Sequence, residues 1–408
     1  MPVMPHGLAL AVETVTTVLT VAGMGFFLAA IVAARAYLHE RRQQLTVFAP
    51  GVSILKSLKG LDPGMMDAFR SHCRQVYTGE FEMLFGVSSL DDPAARAVEQ
   101  LKGEFPERAI RLVVCPERLG TNGKVSTLSQ LAVQARYDFL LINDSDITVT
   151  PRYLERVMAR FGATAAMAQQ PVGLVTALYR GRSHGTLGSR LEALGIATDF
   201  MAGVLLSKMI EGGLHFGLGS TLAVRREALE KAGGLLALVD YLADDYELGA
   251  RVEKAGYRVV LCREVVETGI PAYGWKGFID HQLRWARTVR DSRPGGYLGL
   301  VVTHGLAWAL LNLLASGLSP VSLWLLGLSF FLRLAEAMTV GAEVLGDHEV
   351  LPNLWLLPLR DLVHMGVWVA GFAGHTIVWR GERFVLKGGK LEAQGSGVRG
   401  QGSERLGR

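Results

Sequence analysis

The sequence has only three cysteines among its 408 residues, and they lie far apart at Cys73, Cys115 and Cys262. An odd number of widely spaced cysteines argues against a disulfide framework or a cysteine-ligated zinc site, and indicates a reducing compartment. An excess of one charge is also lacking, because 42 basic and 38 acidic residues leave a net charge of only +4. This balance gives no general case for nucleic-acid binding.

The sequence is rich in apolar residues: 50% are hydrophobic and the mean hydropathy is +0.26. Between Glu13 and Arg35 lie about 20 uncharged, mostly apolar residues, which is enough to cross a bilayer. No basic segment precedes them and no small-residue cleavage site stands out, so we expect a retained membrane anchor at residues 10–36. Because Arg35, Arg41 and Arg42 follow, the positive-inside rule predicts that the next part of the chain is cytoplasmic.

Residues 45–292 have the pattern of one α/β domain, in which apolar runs of strand length alternate with helical patterns. The predicted strands are 52–58, 81–87, 109–114 and 137–143, and the predicted helices are 65–77, 92–105, 124–135 and one from Arg152. This alternation indicates βαβ units and a mostly parallel sheet. Ligands bind such sheets outside the carboxyl ends of the strands.

Two acidic residues, Asp144 and Asp146, come directly after the fourth predicted strand. Carboxylates one residue apart at this edge can hold a hard divalent cation, and the cation can hold a diphosphate. A turn or a helix cap is the structural alternative, since Asp and Ser favour both.

Two further segments carry charge at the starts of predicted helices. The loop from Gly120 to Lys124 offers backbone N–H groups and one lysine to a phosphate, with a solvated surface loop as the alternative. Asp244 and Asp245 begin a later helix, where negative charge is favourable. Together with Glu247 they crowd like charges, which raises a pKa as a general base requires.

A basic helix is predicted near the end of the α/β domain. Arg284, Arg287 and Arg290 fall on one face of it, and Trp285 adds a flat apolar surface. Such a face can meet anionic lipid head groups, or it can hold a diphosphate leaving group.

The C-terminal part, residues 294–380, is predicted to form membrane or interfacial helices. No charged residue occurs from 294 to 332, and a Ser/Gly/Pro-containing break at 316–320 divides this stretch into two spans of about 20 residues. Arg333 and Glu336 follow at a spacing that allows an ion pair. A third, marginal span is predicted at 362–379.

The last segment, 381–408, is predicted to be a basic tail that is disordered after about Leu391. One span before the domain and three after it would place this tail on the side opposite the domain. The basic residues Arg380, Arg383, Lys387 and Lys390 favour the domain's own side. We therefore expect one of the later apolar segments to be interfacial or re-entrant.

Taken together, six motifs in this order and spacing resemble the membrane-bound family-2-type glycosyltransferases, and most closely the ceramide glucosyltransferase branch. The motifs are 53–63, Asp91-Asp-Pro-Ala94, Asn122-Gly-Lys124, Asp144-Ser-Asp146, Leu242-Ala-Asp-Asp-Tyr246 and His281-Gln-Leu-Arg-Trp285. Within this branch, residues 175–181, 191–196 and 379–384 are similar to bacterial hopanoid-associated transferases, which attach N-acetylglucosamine to a polyhydroxylated hopanoid.

The resemblance implies a GT-A fold, a UDP-sugar donor and inversion at the anomeric carbon, in a multi-pass protein of the bacterial inner membrane whose catalytic domain is cytoplasmic. It implies Mg²⁺ or Mn²⁺ at Asp144 and Asp146, and Asp245 as the base that takes a proton from the acceptor hydroxyl. Arg284 and Trp285 would act near the diphosphate and the acceptor. The substrate-binding candidates are Asn122, Lys124, Asp92, Asp144, Asp244 and His281.

Two positions depart from the family pattern. Ser89 stands where the family usually has an aspartate for the nucleotide base, so base recognition either shifts to Asp91 or Asp92 or weakens. His281 stands where the final motif often begins with Gln or Arg.

Three functions remain open. The first is a non-processive transferase that moves N-acetylglucosamine or glucose to the hydroxyl of a membrane lipid, either a hopanoid or a ceramide-like lipid. The second is a processive polysaccharide synthase, which usually needs more spans. The third is an inactive membrane scaffold, favoured by the lost acid at Ser89 and opposed by the retained Asp144, Asp146, Asp245, Arg284 and Trp285.

Overall fold

The computed structural model describes residues 6–42, 46–162, 170–379 and 382–393. A long helix, α1 (His6–Arg41), precedes an α/β domain built on a seven-stranded sheet. Its strands are β1 (Val52–Ser57), β2 (Phe81–Val87), β3 (Ala109–Val114), β4 (Phe139–Ile142), β5 (Val172–Arg182), β6 (Leu222–Arg225) and β7 (Arg258–Gly269). Its helices are α2 (Met65–Cys73), α3 (Pro93–Glu104), α4 (Gly123–Gln134), α5 (Tyr153–Gly162), α6 (Leu187–Gly195), α7 (Met201–Ile210), α8 (Arg226–Lys231) and α9 (Asp244–Lys254).

The sheet has the strand order β3-β2-β1-β4-β6-β5-β7. All neighbouring strands are parallel except β6, which is antiparallel to both β4 and β5. The predicted mostly parallel α/β fold is therefore confirmed. Because β1 to β4 run in the same direction, their carboxyl ends meet at one edge, and the loops after them form one surface.

Capping residues fix where two helices begin at this edge. Asp92 caps α3, and its carboxylate accepts a hydrogen bond from the N–H of Ala94 at 2.9 Å, with Pro93 in the first turn. Asn122 caps α4 by accepting from the N–H of Val125 at 3.2 Å. Both candidate binding residues therefore also have a structural task.

A second group of helices follows the sheet. They are α10 (Trp275–Ser292), α11 (Pro294–Gly299), α12 (Gly305–Ala315), α13 (Pro320–Ala337), α14 (Val350–Asn353) and α15 (Leu357–Gly371). Two π-helical segments also occur: 196–200 joins α6 to α7, and 338–344 extends α13.

Three helical segments of the described chain are long and apolar enough to cross a membrane, namely Gly7–Arg41, Leu187–Ile210 and Pro320–Val344. A fourth arises if Pro294–Thr303 and Gly305–Ala315, which meet at a bend of 57°, count as one span. The segment Leu187–Ile210 was not predicted from the sequence. More than half of the most apolar 18-residue stretch of this segment is buried inside the protein.

Helices α1 and α12 pack closely in opposite directions. A Cβ atom added at Gly23 would overlap the backbone of Gly305, so small residues allow the two backbones to touch. Further along, Asn312 donates to the Oγ1 of Thr17 at 2.7 Å and to the carbonyl oxygen of Glu13 at 3.2 Å. These polar contacts supply the interhelical hydrogen bonds that stabilise packing in an apolar surrounding.

The chain returns after α12 to the level at which α1 ends. Arg41 donates to the carbonyl oxygen of Val344 at 3.2 Å, and Arg35 forms an ion pair with Glu343 at 2.6 Å. These contacts place the ends of α1 and of the segment that extends α13 next to each other.

The predicted pair of Arg333 and Glu336 is confirmed at 2.5 Å and belongs to a larger buried ionic cluster. The Arg333 guanidinium also contacts Asp361 at 2.8 Å and Asp199 at 2.5 Å. It thereby joins α13 and α15 to the π-helical segment between α6 and α7.

The prediction of a membrane span at 362–379 was wrong. Helix α15 ends at Gly371, and an antiparallel sheet follows, formed by β8 (Thr376–Trp379), β9 (Glu382–Lys387) and β10 (Lys390–Ala393). We call these three strands the C-terminal sheet.

Alternating apolar residues explain why this part of the predicted basic tail is folded. Ile377, Phe384, Leu386 and Leu391 lie on one face of the C-terminal sheet and pack against Leu242. A strand pattern of period two cannot continue a membrane helix. The predicted disorder after Leu391 falls mainly on residues 394–408, which lie outside the described residues.

Candidate active site

Asp144 and Asp146 lie at the carboxyl edge of the sheet, directly after β4. The Oδ1 of Asp144 is 2.7 Å from the ammonium nitrogen of Lys124, at the start of α4. The Oδ2 of Asp146 accepts a hydrogen bond from Thr268, near the end of β7, at 2.6 Å. Burial, together with the charge of Asp144, raises the pKa of Asp146. A bound cation would relieve this repulsion.

A third charged residue, Lys56, lies beneath this pair and was not assigned a role from the sequence. Its side chain is fully buried at the end of β1, and its ammonium group donates to the backbone oxygen of Asp144 at 3.0 Å. Burial lowers the pKa of Lys56 to about 7, although Asp146 and Asp144 oppose the shift. A lone lysine inside an otherwise apolar strand was the signal in the sequence.

Lys124 links the first acidic pair to the second. Besides its contact with Asp144, its ammonium nitrogen lies 3.5 Å from the Oδ2 of Asp244 at the start of α9. Burial lowers the pKa of Lys124, but the carboxylates of Asp144 and Asp244 outweigh burial, so its pKa lies above the ordinary value. This lysine is therefore charged and held within the site.

The carboxylates of Asp245 and Asp144 both lie beside Gly219. A Cβ atom at Gly219 would lie 3.0 Å from the Oδ2 of Asp245 and 3.7 Å from the Oδ2 of Asp144. Residue 219 lies in the loop before β6, so the absent side chain leaves room between the two carboxylates. Sequence analysis assigned no role to this glycine.

The ionisation of Asp245 is tuned by its surroundings. Burial and the adjacent carboxylate of Asp244 raise the pKa of Asp245 to about 6, while Lys124 opposes the shift. The backbone N–H of Tyr246 donates to its Oδ1 at 2.8 Å and orients the side chain. A carboxylate with a raised pKa is a better proton acceptor near neutral pH.

Asn122 connects the loops around the site. It is fully buried, and its side-chain amide donates to the carbonyl oxygen of Tyr241 at 2.7 Å. The Asn122 amide also lies 3.5 Å from the Oδ1 of Asp244. The structure therefore places Asn122 as a brace between the start of α4 and the start of α9.

Asp92 lies at the same edge, but its carboxylate already accepts hydrogen bonds from backbone N–H groups. Both of its carboxylate oxygens accept from the N–H of Gly60, at 3.0 and 3.1 Å, in addition to the cap on Ala94. Ser89 donates to Asp91 at 3.1 Å. Asp92 thus fixes the loop after β1, and no contact joins it to Asp144 or Asp245 in the described part of the chain.

His281 and Trp285 belong to an aromatic group on α10. The Nδ1 of His281 lies 3.0 Å from the Oε2 of Glu192, a buried acid on α6 that sequence analysis missed. The ring of Trp285 packs edge to face on Phe200 at 5.7 Å. These contacts join α10 to α6 and to the π-helical segment.

Tyr273 extends the aromatic group beyond α10. This ring stacks on His281 at 5.3 Å. Burial raises the pKa of Tyr273; Glu192 and Asp146 add to the shift, and Arg284 opposes it.

The three arginines of α10 have different surroundings. Arg287 donates to the carbonyl oxygen of Thr376 at 2.7 Å, and Arg290 donates to the carbonyl oxygen of Gly371 at 2.5 Å. Both therefore hold the segment between α15 and β8, which argues against a lipid or diphosphate role for these two. Arg284 is half-buried on the same helix, one turn before Arg287.

The residues present fit a hard divalent cation that is shared with a substrate. Within the described ranges, no cluster of three or more His, Cys, Asp and Glu side chains forms a closed metal cage. Mg²⁺ and Mn²⁺ do not need one, because Mg²⁺ in particular is commonly held by one or two carboxylates, with waters and substrate phosphates completing its shell. Asp144 and Asp146 would supply those carboxylates.

This fold, with acids at the carboxyl edge of its sheet, is that of the GT-A glycosyltransferases. The structure matches the mannosyltransferase PcManGT from Pyrobaculum calidifontis, solved in complex with GDP-Man and Mn²⁺, with a TM-score of 0.51 over 88% of this chain and 99% of that one. The two sequences are 19% identical, so the likeness shows the fold.

The chain belongs to Glycosyl transferase family 21, whose model matches residues 15–391. It is 24% identical over 371 residues to ceramide glucosyltransferase 3 of Caenorhabditis elegans, covering 83% of this chain and 73% of the relative. Ceramide glucosyltransferase 1 of the same organism is also 24% identical, over 354 residues, with coverages of 84% and 73%. The predicted glycosyltransferase activity and the predicted relation to ceramide glucosyltransferases are thus confirmed.

Proposed function

We propose that the protein is an inverting, non-processive glycosyltransferase that moves a sugar from a UDP-sugar to the hydroxyl of a membrane lipid. The sugar is N-acetylglucosamine or glucose, and the acceptor is a hopanoid or a ceramide-like lipid. The name of the Caenorhabditis elegans relatives supports a lipid acceptor. The motifs at 175–181, 191–196 and 379–384 support the hopanoid alternative.

The observation that carries this proposal is that the carboxylates of Asp245 and Asp144 both lie beside Gly219, where no side chain fills the space. Direct displacement at an anomeric carbon needs a base on one side of the sugar and neutralisation of the departing diphosphate on the other. Asp245 has the raised pKa of a base and takes the proton of the acceptor hydroxyl. Lys124, with Asp144 and Asp146, lies on the leaving-group side.

The charges on the diphosphate side come from several elements. Lys124 is held between Asp144 and Asp244 and offers its ammonium group to the diphosphate. Arg284 on α10 offers a guanidinium, and Trp285 a flat surface for the acceptor. Mg²⁺ or Mn²⁺ on Asp144 and Asp146 supplies further positive charge to the diphosphate.

The candidate membrane segments hold the catalytic domain at the bilayer that contains the lipid acceptor. Helix α1 ends in basic residues, which supports a catalytic domain on the cytoplasmic face of a bacterial inner membrane. A domain in this position takes a soluble donor from water and a lipid hydroxyl from the bilayer surface. At most two candidate spans follow the domain among the described residues, which is few for a polysaccharide channel and supports single transfer over processive synthesis.

The test uses detergent-purified protein with Mg²⁺ or Mn²⁺, a panel of UDP-sugars and a total lipid extract. We expect UDP release and one labelled lipid, with loss of at least about 100-fold in rate for Asp245→Asn, the usual scale for a general base. Asp138→Asn is the matched control, because this acid lies just before β4 and its side chain is 86% exposed.

Each outcome separates the three functions. A lipid that carries one sugar in inverted configuration, lost in Asp245→Asn and kept in Asp138→Asn, supports the proposal. A polymeric product would establish the synthase instead. No UDP release with any sugar would overturn the UDP-sugar donor and point to a different nucleotide, and no reaction with any nucleotide sugar would favour the scaffold.

A further inference from the structure

An acidic side chain of the C-terminal sheet contacts two loops at the carboxyl edge of the seven-stranded sheet. Glu382, the first residue of β9, accepts a hydrogen bond from the guanidinium of Arg118 at 3.1 Å. Its other carboxylate oxygen lies 3.9 Å from the ammonium nitrogen of Lys59. The side chains of Lys59 and Arg118 are both more than half exposed. The three side chains therefore meet at the surface and remain accessible to a ligand.

The strand order shows which part of the edge this is. Lys59 follows β1 and Arg118 follows β3, and β2 lies between these two strands. The carboxylate of Glu382 therefore contacts the loops after β1 and β3, which are the strands on either side of β2 and the loop that follows it. The residue that the chain itself places there is Ser89, which is uncharged.

The end of β2 is where a nucleoside would extend from a diphosphate bound at Asp144. The carboxyl ends of β2 and β4 are separated by β1 alone, so they lie two strand spacings apart, or roughly 10 Å. Ligands of such sheets lie along this edge. Of the acids near Ser89, Asp92 is occupied by the N–H of Gly60, and Asp91 accepts from the Ser89 hydroxyl.

The C-terminal sheet is firmly attached at this place. Phe384, Leu386 and Leu391 pack on Leu242, and the N–H of Leu391 donates to the carbonyl oxygen of Asp240 at 2.7 Å. The side chain of Asp240 in turn accepts from Thr121 at 3.0 Å, in the loop that precedes α4. Glu382 therefore belongs to a sheet that packs on the α/β domain and is hydrogen-bonded, through Asp240, to the loop before α4.

We propose that Glu382 reads the base of the sugar donor, accepting its N–H in place of the carboxylate that position 89 lacks. This inference rests on the proposed function. A carboxylate has about four lone-pair sites, so it can keep Arg118 and Lys59 and still accept from a ligand. The N3–H of uracil is a donor, whereas the N3 of cytosine is an acceptor, so a carboxylate that faces this ring atom favours uracil over cytosine.

The experiment measures equilibrium binding of UDP, CDP and GDP, with Mn²⁺ present, to the full-length protein in detergent. We compare the unchanged protein with Glu382→Gln, which keeps the shape and removes the charge. Glu392→Gln is the matched control, because Glu392 is an exposed acid on β10 of the same sheet. No turnover is needed, so the readout is independent of the acceptor.

We expect Glu382→Gln to weaken UDP binding about tenfold, because a neutral amide oxygen replaces a charged acceptor, and to narrow the preference for UDP over CDP. Glu392→Gln should bind like the unchanged protein. Equal changes for all three nucleotides, or unchanged UDP binding, would overturn this inference alone. Absence of nucleotide binding by the unchanged protein would overturn the proposed function together with it.

Discussion

The ammonium nitrogen of Lys56 donates to the backbone oxygen of Asp144 at 3.0 Å, within the buried interior beneath the carboxyl edge of the sheet. This contact joins the end of β1 to the loop that carries both candidate metal ligands. The side chain also lies 5.9 Å from the ring centre of Phe69, so a cation is held against an aromatic face. Lys56 thus stabilises the loop from below, away from any substrate.

Replacing Lys56 with Met should show whether the hydrogen bond to Asp144 matters beyond the packing of the Lys56 side chain. Lys56→Met keeps the length of the side chain but removes the donor and the buried charge. We expect the donor KM and the Mn²⁺ concentration for half activity to rise about tenfold, the scale seen when outer contacts of metal ligands are lost. The melting temperature should stay the same or rise.

Lys102→Met, an exposed lysine paired with Glu99 on α3, is the matched control. It should leave both kinetic values unchanged. A Lys56→Met protein with the original donor KM and metal requirement would contradict the assigned role.

The pH dependence of transfer should report the ionisation of Asp245. The base must be ionised, and its pKa is raised to about 6, so kcat/KM should fall as the pH drops below 6 and reach a plateau above it. In Asp244→Asn the neighbouring charge is gone, so the pKa of Asp245 should fall and the acid limb should move to lower pH. A pH–rate profile that does not shift in Asp244→Asn would contradict the coupling.

The same pKa shift should affect stability. Because the pKa of Asp245 is higher in the folded protein than in the unfolded chain, the fold is favoured by protonation and loses stability as the pH rises through about 6. Asp245→Asn removes this cost, so its melting temperature should exceed that of the unchanged protein at pH 7.5 and match it near pH 4. A lower melting temperature at pH 7.5 would contradict the sign.

The buried ionic cluster around Arg333 should be essential for folding. Arg333→Met leaves Asp361, Asp199 and Glu336 without their shared cation, and breaking such a pair costs about 3–5 kcal/mol. We expect loss of monodisperse protein in detergent. Arg35→Met, from a pair whose side chains are 59% and 44% exposed, should cost about 0–1 kcal/mol. Equal effects of the two changes would contradict this difference in burial.

The contact between α1 and α12 offers a test of the membrane part. Gly23→Leu forces a side chain into the backbone of Gly305, and overpacking of this kind costs about 1–3 kcal/mol or more. Gly25→Leu is the matched control, because nothing lies within 4 Å of its Cβ position. A clear fall in melting temperature for the first change and none for the second is expected; similar values would argue against the observed packing.

Local patterns in the sequence were sufficient to predict the first half of the α/β domain. The strands predicted at 81–87 and 109–114 have the bounds that the structure shows, and β4 ends just before Asp144. These predictions succeeded because strand and helix periods, caps and turns depend on residues close together in the chain. For the same reason, Asp144, Asp146 and Asp244 could be placed at the ends of elements.

The roles of Asn122, Asp92, Arg287 and Arg290 depend on partners that local patterns do not identify. Asn122 and Asp92 are acceptors for nearby backbone groups, and they also reach Tyr241 and Gly60. The two arginines are held by carbonyl groups more than 80 residues away. A charged side chain looks the same in a sequence whether it binds a ligand or a distant loop.

What the sequence by itself determined is therefore the order of the elements, the apolar membrane segments and the acids at the ends of strands. Only the tertiary structure decided that Lys56 lies beneath Asp144, that Asp245 and Asp144 both lie beside Gly219, and that a predicted span is partly a sheet on the catalytic domain. Glu382 and Arg118 are 264 residues apart, and they meet because apolar residues of the C-terminal sheet pack on Leu242. Contacts of this kind arise from burial of apolar surface between distant segments, which no local pattern encodes.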